Sequence, residues 1–196
     1  MDDITLMSHV IDGEIDKMSI LYERYKMPIY SYFIKTTCGD REASEDLVHT
    51  VFYRAIRYKH SFTGQGSFAN WIFRIARNVS LDHNRKKRNS YNYNAEIRSA
   101  SGVMYVEDDY EKREQLASLE FAMKKLEHEE REIIVLGKIQ CLRYKEIANI
   151  LGTTEGNVKI RMFRALRKLK DIFLKIENVR YEKEGSKGKD NRSSSR

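Results

Sequence analysis

The sequence predicts an all-α protein of two small helical domains joined by a flexible linker, with a helix-turn-helix in the C-terminal domain. Its 196 residues include one proline and ten glycines, which favours long helices over a turn-rich β fold. Apolar residues recur at helical spacing through two stretches, and a polar stretch without such a period separates them. We therefore expect domains at residues 8–88 and 110–176, a linker at residues 89–109, and a disordered tail at residues 177–196.

The first domain is expected to contain three long helices, each with an apolar stripe. The stripes are Leu21, Tyr25, Ile29, Tyr32 and Phe33 on the first, Leu47, Val51, Ala55 and Ile56 on the second, and Phe68, Ile72, Ile75, Ala76 and Val79 on the third. The segment HSFTGQGSF lies between the second and third helices. Its two glycines and small polar residues predict a loop.

The third predicted helix, SFANWIFRIARNVSLDHNRKKR, is basic on the side opposite its stripe. That side carries Asn70, Phe73, Arg74 and Arg77, with Trp71 and Asn78 at its flanks. Arginines beside large aromatic rings suit single-stranded nucleic acid, because cations hold the backbone and rings stack on bases. The preceding loop could form a pocket for an unstacked base. The same residues also fit a core aromatic and a solvated basic helix end, and the pattern leaves both interpretations open.

A helix-turn-helix is predicted within RYKEIANILGTTEGNVKIRMFRALRKLK. Ile147 and Leu151 share one helix face, and Gly152 can take the left-handed conformation that ends a helix. Thr153 or Thr154 is then suited to cap the following helix. A short apolar helix, a glycine turn and a capped basic helix form the helix-turn-helix arrangement in this order.

The second helix of this unit separates an inward face from a basic outward face. The inward face consists of Val158, Met162, Ala165 and Leu169. The outward face carries Gly156, Asn157, Ile160, Phe163, Arg164 and Arg167, flanked by Lys159, Arg161 and Lys168. Arginine and asparagine can read base edges in the major groove, and exposed apolar side chains can contact thymine methyl groups. A basic amphipathic helix packed in an ordinary bundle is the alternative interpretation.

Charge, cysteines and histidines limit the function classes. Lys and Arg outnumber Asp and Glu by 36 to 29, which suits a polyanionic partner. Cys38 and Cys141 are isolated, and the histidines show no metal-ligand spacing, so we expect no metal, no cofactor and no enzymatic activity. The N-terminus is acidic and no stretch is long and apolar enough to cross a bilayer, so we expect a cytoplasmic protein without membrane insertion.

Three motifs in this order resemble the extracytoplasmic-function (ECF) sigma factors of bacterial RNA polymerase. The motifs are SEDLVHTVFYRAIRY at residues 44–58, SFANWIFRIARNVSLDHNRKKR at residues 67–88, and RYKEIANILGTTEGNVKIRMFRALRKL at residues 143–169. Members of this class keep only the second and fourth conserved regions of the larger sigma family. The resemblance implies that residues 8–88 form region 2 and residues 110–176 form region 4. It also implies that the chain binds core RNA polymerase, recognises promoter DNA and initiates transcription of a specific regulon.

The resemblance also assigns residues to partners. It places Glu45, Asp46, His49 and Phe52 against the clamp helices of the largest polymerase subunit. Recognition and melting of the minus-ten promoter element fall to Ser61, Phe62, Thr63, Gly64, Phe68, Trp71, Phe73, Arg74 and Asn78. Recognition of the duplex minus-thirty-five element falls to Thr154, Asn157, Lys159, Ile160, Arg161, Phe163 and Arg164. An anti-sigma factor that covers both domains is a further partner that the family suggests.

Three positions depart from the family pattern. His49 stands where glutamine is common, which alters the chemistry of the expected polymerase contact. Glu127 directly follows Leu126, where the family commonly carries a proline. Ile160 replaces a small polar residue, so the family does not indicate which bases this chain prefers.

Two other functions fit parts of the sequence. A repressor or activator would use only the helix-turn-helix, ordinarily as a dimer on a palindromic operator, and would leave the aromatic–arginine helix as a dimer or ligand surface. An adaptor such as an anti-sigma factor would bind protein alone, which the two basic faces argue against. A helix suited to unpaired bases together with a helix-turn-helix favours the sigma factor.

Overall fold

The computed structural model describes the backbone of residues 1–91 and 110–190 and the side chains of residues 1–87 and 112–180. The α-helices of this part are α1 (Asp3–Ile11), α2 (Met18–Thr36), α3 (Arg41–Arg57), α4 (Phe68–Tyr91), α5 (Tyr110–Lys124), α6 (His128–Ile134), α7 (Tyr144–Leu151) and α8 (Glu155–Asp190). A π-helical turn, Val135–Ile139, follows α6, and short 3-10 turns occupy Ile15–Lys17 and Lys59–Ser61. The described residues contain no strand, and the predicted all-α fold is confirmed.

Helices α1 to α4 form an N-terminal module around one apolar core. The fully buried side chains of α2 are Leu21, Ile29, Tyr32 and Phe33, and they meet Val51 and Ala55 of α3 and Ile72 and Ala76 of α4. These residues belong to the predicted stripes. Ile56 does not follow the prediction, because its side chain is exposed at the end of α3. Asp40 caps α3 by accepting a hydrogen bond from the Ala43 backbone N–H at 3.1 Å.

Helices α5 to α8 form a C-terminal module that contains the predicted helix-turn-helix. Helix α7 ends at Gly152, which has φ 64° and ψ 42°, the left-handed conformation expected there. Thr154 caps α8, since its Oγ1 accepts a hydrogen bond from the Asn157 backbone N–H at 3.2 Å. Ile147 and Leu151 are buried against α8, and α5 runs alongside the same helix.

Replacing Gly152 with alanine is expected to destabilise the protein by roughly 1–2 kcal/mol, because an L-residue is strained in the left-handed conformation. A Cβ at this position would meet nothing within 4 Å, so the whole cost would come from the backbone. Urea unfolding followed by circular dichroism measures the effect. Gly156→Ala is the matched control, because Gly156 also has open space around it but lies in α8. Equal stability of the two variants would contradict the prediction.

The ends of two helices differ from the predicted domain boundaries. Helix α4 continues to Tyr91, beyond the expected start of the linker, and residues 92–109 of that linker lie outside the described residues. Helix α8 continues to Asp190, past residue 177, where the disordered tail was expected to begin. Within that stretch Glu177 is buried and Arg180 forms an ion pair with Glu114 of α5.

The two modules share one continuous core, and a buried arginine joins them. The guanidinium of Arg131 in α6 donates to the carbonyl oxygen of Thr36, the last residue of α2, at 3.0 Å. It also donates to Met123 O at 2.9 Å and Leu126 O at 2.6 Å, at the end of α5. Carbonyl groups at helix C-termini lack intrahelical partners and carry partial negative charge. Arg131 therefore satisfies the ends of two helices, one from each module.

A buried carboxyl group lies beside this arginine. The Tyr32 hydroxyl donates to Glu132 Oε1 at 2.6 Å, and Arg77 Nε lies 3.7 Å from Glu132 Oε2. Burial raises the pKa of the Glu132 carboxyl, while the Tyr32 hydrogen bond and Arg77 oppose that rise. Burial and the neighbouring Glu132 raise the pKa of Tyr32 well above its ordinary value. The Tyr32 hydroxyl therefore stays protonated and donates a hydrogen bond to a buried carboxyl group.

Further polar contacts cross between the modules at the rim of the shared core. They are Lys35 Nζ to Glu120 Oε1 at 3.0 Å, Arg74 Nη2 to Asn149 O at 3.2 Å, and Asn84 Nδ2 to the His128 ring at 3.1 Å from Nδ1. Burial lowers the pKa of His128, which favours its neutral ring. The contact between the modules thus combines apolar packing with buried polar groups, and further polar contacts surround it at the rim.

Candidate nucleic-acid interface

The outward face of α8 lies where the sequence predicts it. Val158, Met162 and Ala165 are buried, as expected for the inward face. On the other side, Ile160 is 51% exposed and Phe163 67% exposed. The two residues are three apart on one helix, so their exposed side chains are neighbours on this face. This face can therefore present two apolar side chains to a partner.

The cations around this face fall into two groups. Ion pairs hold three of them: Lys159 with Glu155 at 3.0 Å, Arg161 with Glu129 at 2.9 Å, and Lys168 with Glu130 at 2.7 Å. Arg164 and Arg167 are exposed and make no ion pair with the described residues. Arg164 lies on the same face as Phe163, whereas Arg161 turns towards α6. Arg164 is therefore the cation best placed to reach a base edge.

The loop before α4 combines an exposed tip with an aromatic base. Thr63 and Gly64 are exposed at the tip, and Gly64 has φ 72°. Phe62 and Phe68 are buried, with ring centroids 5.9 Å apart in an edge-on arrangement. In this conformation the two rings form the support on which the loop rests, and their contact with DNA stays a prediction. The exposed residues at the tip, Thr63 and Gly64, remain accessible to a ligand.

Trp71 is fixed at the edge of this loop. Its indole Nε1 donates to Ser61 Oγ at 3.1 Å, and its ring packs on Phe62 and Phe68 with centroids 5.5 and 5.6 Å away. The ring is only partly buried. One face of a rigid indole beside an exposed loop is suited to stacking on an unpaired base.

The rest of the predicted minus-ten face lies on α4, where one of its three residues is buried. Phe73 is only 3% exposed and packs edge-on against Tyr32, so its predicted contact with DNA would require another conformation. Arg74 is exposed but donates to Asn149 O of α7. Asn78 is exposed. The structure thus places Trp71 beside the loop and directs Arg74 towards the C-terminal module, while Asn78 lies about two turns further along α4.

The exposed side of α3 carries the residues that the resemblance assigns to polymerase. Glu45, Asp46 and His49 are exposed. Phe52 is buried and packs edge-on against Tyr22 with a centroid distance of 4.7 Å, so this conformation does not expose its ring to a partner. The Tyr22 ring also stacks towards His49, at 6.5 Å. Phe52 therefore supports the surface that the three polar residues present.

Sequence reasoning missed two apolar surfaces. Tyr53 is 64% exposed on α3, four residues after His49, and this spacing placed it on the same side. A groove between α5 and α8 also carries apolar side chains, which are Leu116, Leu119, Leu166, Leu169 and Phe173. Leucines at helical spacing are typical of a core, so the pattern alone did not reveal that this groove is open.

Among the side chains described, no group of three or more His, Cys, Asp or Glu is arranged to hold a metal ion. Within the same part of the chain, no helix combines the length and apolar character that crossing a membrane requires. The described residues therefore add neither a metal site nor a membrane-spanning helix to the surfaces on α3, α8 and the loop before α4.

Two family models match the chain. The model for sigma-70 region 2 matches residues 21–90, and the model for sigma-70 region 4 matches residues 116–169. The first match covers α2 to α4 and the second covers the helix-turn-helix. Both surfaces proposed for DNA lie within these matches.

Proteins of known function are similar over most of the chain. ECF RNA polymerase sigma factor SigW of Bacillus subtilis is 33% identical over 180 residues, which cover 85% of this chain and 96% of SigW. ECF RNA polymerase sigma factor BldN of Streptomyces coelicolor is 33% identical over 166 residues, which cover 80% of this chain. This match spans only 60% of BldN.

The fold is also similar to solved sigma-factor structures. RpoE of Bartonella quintana, in a co-crystal with the anti-sigma factor NepR, has a TM-score of 0.65 at 22% identity, covering 79% of this chain and 95% of RpoE. CnrH in complex with the cytosolic domain of CnrY has a TM-score of 0.64 at 23% identity, covering 87% of this chain and 96% of CnrH. With both conserved regions matched and SigW covered almost completely, the chain belongs to the family of ECF RNA polymerase sigma factors.

Proposed function

We propose that this sigma factor uses one of the three surfaces described above to bind polymerase and the other two to recognise the promoter. The exposed side of α3 binds core RNA polymerase, the loop with Trp71 captures unpaired minus-ten bases, and the outward face of α8 binds the duplex minus-thirty-five element. The observation that carries the proposal is the α8 face, where Ile160, Phe163 and Arg164 are exposed opposite a fully buried stripe. Two exposed apolar side chains beside an arginine that has no ion pair with the described residues give this face both kinds of group that base reading uses.

The chemistry of the α8 face suits a major groove. A guanidinium group can donate two hydrogen bonds to a guanine edge, and an apolar side chain can contact a thymine methyl group. The N-terminus of α8 adds backbone N–H groups and positive dipole character, which favour a phosphate oxygen. Thr154 and Asn157 lie at this end, and Lys159 follows one turn on. These residues fix the position of the helix, and Arg164, Ile160 and Phe163 select the bases.

The loop before α4 suits a base that has left the double helix. Unstacking a base costs a few kcal/mol, and stacking on an aromatic ring returns about 1–3 kcal/mol per base. Trp71 offers such a ring, held by Ser61, and the exposed tip with Thr63 and Gly64 lies beside it. Binding energy therefore unpairs the DNA, and the chain itself needs to catalyse no covalent step.

The proposed role defines the partners and the compartment. Core RNA polymerase supplies the active site, and promoter DNA is bound both as duplex and as melted strand. An anti-sigma factor is a further proposed partner, by analogy with the Bartonella RpoE–NepR complex. Because the promoter lies on the bacterial chromosome, we propose that the protein acts in the cytoplasm.

Transcription with purified bacterial core polymerase and a genomic promoter library tests the proposal. We expect the chain to direct initiation at a defined set of promoters that share two conserved elements. An authentic sigma factor under the same conditions is the positive control. If the chain directs initiation at no promoter while the control succeeds, the proposed function is wrong. Duplex binding without any response to polymerase would instead favour the repressor.

Thymine methyl groups in the minus-thirty-five element are expected to contribute to binding through Ile160 and Phe163. Replacing one contacted thymine by deoxyuridine removes only the methyl group and should weaken binding by about 1 kcal/mol, the effect of one buried methyl or methylene group. Fluorescence anisotropy with the element bearing single replacements measures it. In the Ile160→Ala variant, deoxyuridine at the thymine that Ile160 contacts should weaken binding no further. If the variant and the unmodified protein respond equally to every deoxyuridine replacement, the contact between Ile160 and a thymine methyl group is excluded.

A further inference from the structure

We propose that the N-terminal helix α1 is part of the minus-ten site and that Ile4 forms an apolar wall against the base that the loop before α4 captures. This inference rests on the proposed function of that loop, and it adds a specificity-determining residue to it. The match to sigma-70 region 2 begins at residue 21, after the end of α1. The family model therefore does not include this contact.

Ile4 lies beside the tip of the loop. A Cβ atom placed on Gly64 would be 4.0 Å from Cγ2 of Ile4, which is ordinary van der Waals contact. Ile4 is nevertheless 48% exposed, and Thr63 and Gly64 are exposed as well. An isoleucine that meets the loop on one side and solvent on the other can contact a base that enters there.

Polar contacts with α2 fix the first turn of α1. Arg24 Nη1 donates to Asp3 Oδ1 at 2.6 Å, and Arg24 Nη2 donates to Met1 O at 3.0 Å. The Tyr25 hydroxyl donates to Asp3 Oδ2 at 2.5 Å. Burial and this hydrogen bond raise the pKa of Tyr25, so its hydroxyl keeps the proton that it donates. Ile4 follows Asp3 directly, and these bonds therefore determine where its side chain lies.

The rest of α1 is fixed by burial and by the segment that leads into the loop. Leu6, Met7 and Val10 are fully buried. At the C-terminal end of the helix, Lys59 Nζ donates to Val10 O at 2.8 Å and to Ile11 O at 3.2 Å. Lys59 belongs to the 3-10 turn before the loop. Helix α1 is thus attached both to α2 and to the start of the loop.

The contact between Asp3 and Tyr25 also reaches the tryptophan beside the loop. The Tyr25 ring packs edge-on against Phe68 with a centroid distance of 5.0 Å. Phe68 in turn packs on Trp71 at 5.6 Å. Tyr25 therefore acts on the site through Phe68 and Trp71, as a positioning residue, whereas Ile4 would touch the base itself.

An apolar wall suits a base better than it suits a phosphate. Proteins that take a base out of the stack hold it between aromatic or apolar side chains. At this site Trp71 supplies the aromatic surface, and Ile4 supplies an aliphatic one beside the loop tip. Asp2 is exposed at the N-cap of α1, and its negative charge disfavours a phosphate at the same place. The contribution of Ile4 should therefore depend on the presence of one base.

Removal of single bases tests this dependence. The chain is assembled on purified core polymerase, and the probes are labelled single strands with the minus-ten element of a promoter that the chain recognises. In a matched set of strands, each base is replaced in turn by an abasic site. We expect Ile4→Ala to weaken binding to the intact strand about fivefold to tenfold, because apolar groups that contact the base are lost. On the strand without the captured base, the variant and the unmodified protein should bind equally, as measured by fluorescence anisotropy.

Ile15→Ala is the matched control. Ile15 is 40% exposed and lies in the 3-10 turn that follows α1, so the same side-chain change is made beyond the other end of the helix. This variant should bind every strand as the unmodified protein does. An equal loss in both isoleucine variants would contradict a specific contact of Ile4.

The fluorescence of Trp71 shows whether the site keeps its shape. Trp71 is the one tryptophan of the sequence. Its ring rests on Phe62 and Phe68, and neither contact involves Ile4. We therefore expect the free Ile4→Ala protein to have the emission spectrum of the unmodified chain. A shifted spectrum together with weaker binding to every strand would make Ile4 a structural support and overturn the inference.

Tyr25→Phe shows how a positioning residue behaves in the same assay. It removes the hydrogen bond to Asp3 and leaves the ring in place. We expect about threefold weaker binding to the intact strand and to every abasic strand, because Tyr25 touches no base. Tyr30→Phe is the matched control, because Tyr30 is a partly buried tyrosine of the same helix whose hydroxyl makes no hydrogen bond to the described residues.

The outcomes separate this inference from the proposed function. A loss in Ile4→Ala that disappears on one abasic strand, with unchanged Trp71 emission, supports the inference. If Ile4→Ala binds the intact strand as the unmodified protein does, or loses the same factor on every strand, the inference is wrong while the proposed function stands. If the unmodified chain on core polymerase binds no strand and initiates at no promoter, the proposed function itself fails.

Discussion

Replacing Arg164 with alanine is expected to weaken binding to the minus-thirty-five duplex by about 1–3 kcal/mol, the cost of losing a bidentate contact with a base edge. Arg164 is exposed beside Phe163 and makes no ion pair with described residues, so nothing within that part of the chain competes for its guanidinium group. The loss should be accompanied by relaxed preference at one base pair, because a base contact carries sequence information and a phosphate contact does not. Anisotropy titrations with every base at each position measure both effects.

Lys175→Ala serves as the control for this experiment. Lys175 is an exposed cation on α8, three turns beyond Arg164 and outside the predicted DNA face. Affinity for core polymerase should be unchanged in both variants. If Arg164→Ala weakens polymerase binding instead of duplex binding, the outward face of α8 has been assigned to the wrong partner.

Charge reversal at Asp46 is expected to reduce affinity for core RNA polymerase by about tenfold to a hundredfold, roughly 1.4–2.8 kcal/mol. Asp46 and Glu45 form an exposed acidic surface on α3, and an interface that uses such a surface meets a basic one on its partner. Lysine at position 46 would place like charges opposite each other, which costs more than removing the carboxylate. Competition with a labelled sigma factor for core polymerase measures the change.

Asp171→Lys makes the same change of charge on the C-terminal module. Asp171 is exposed on α8, and this variant should retain its affinity for polymerase. Asp46→Lys should in turn bind the minus-thirty-five duplex as the unmodified protein does. A similar loss of polymerase binding in both variants would indicate a non-specific effect of net charge and would contradict the assignment to α3.

The register of α8 was predictable because a single helix determines it. Val158, Met162 and Ala165 follow the helical period, so the sequence places them on one side and Phe163 on the other. Gly152 and the threonine cap were predictable for the same reason, since turn and cap chemistry is local. The core of the N-terminal module follows from similar stripes. Features that depend on a single helix could therefore be predicted from the sequence.

Features that depend on a distant partner were not predictable in this way. Phe73 lies opposite the stripe of its own helix and was expected to be exposed, but it is buried and packs edge-on against Tyr32 of α2. Arg131 and Glu132 lie in an acidic stretch that resembles a solvated surface, yet both are buried. A local pattern describes one helix at a time. It cannot show that Tyr32 contacts Glu132, which belongs to the other module and lies 100 residues away in the sequence.

Helix α8 extends into a stretch whose composition is typical of a disordered tail. Residues 177–190 are rich in charged side chains and include two glycines. Within this stretch Arg180 forms an ion pair with Glu114 of α5. Tertiary contacts of this kind can outweigh weak helix propensity.

The ion pairs between α6 and α8 affect how the protein responds to salt. A cation that neutralises a DNA phosphate releases condensed counterions, and each such contact steepens the loss of affinity as the salt concentration rises. Arg161 and Lys168 already have carboxylate partners in Glu129 and Glu130, so on DNA they would exchange one anion for another. Before DNA binds, Glu129 and Glu130 of α6 thus neutralise cations that dissolved anions would otherwise neutralise. Promoter affinity should consequently depend less on ionic strength than the number of basic residues on α8 suggests.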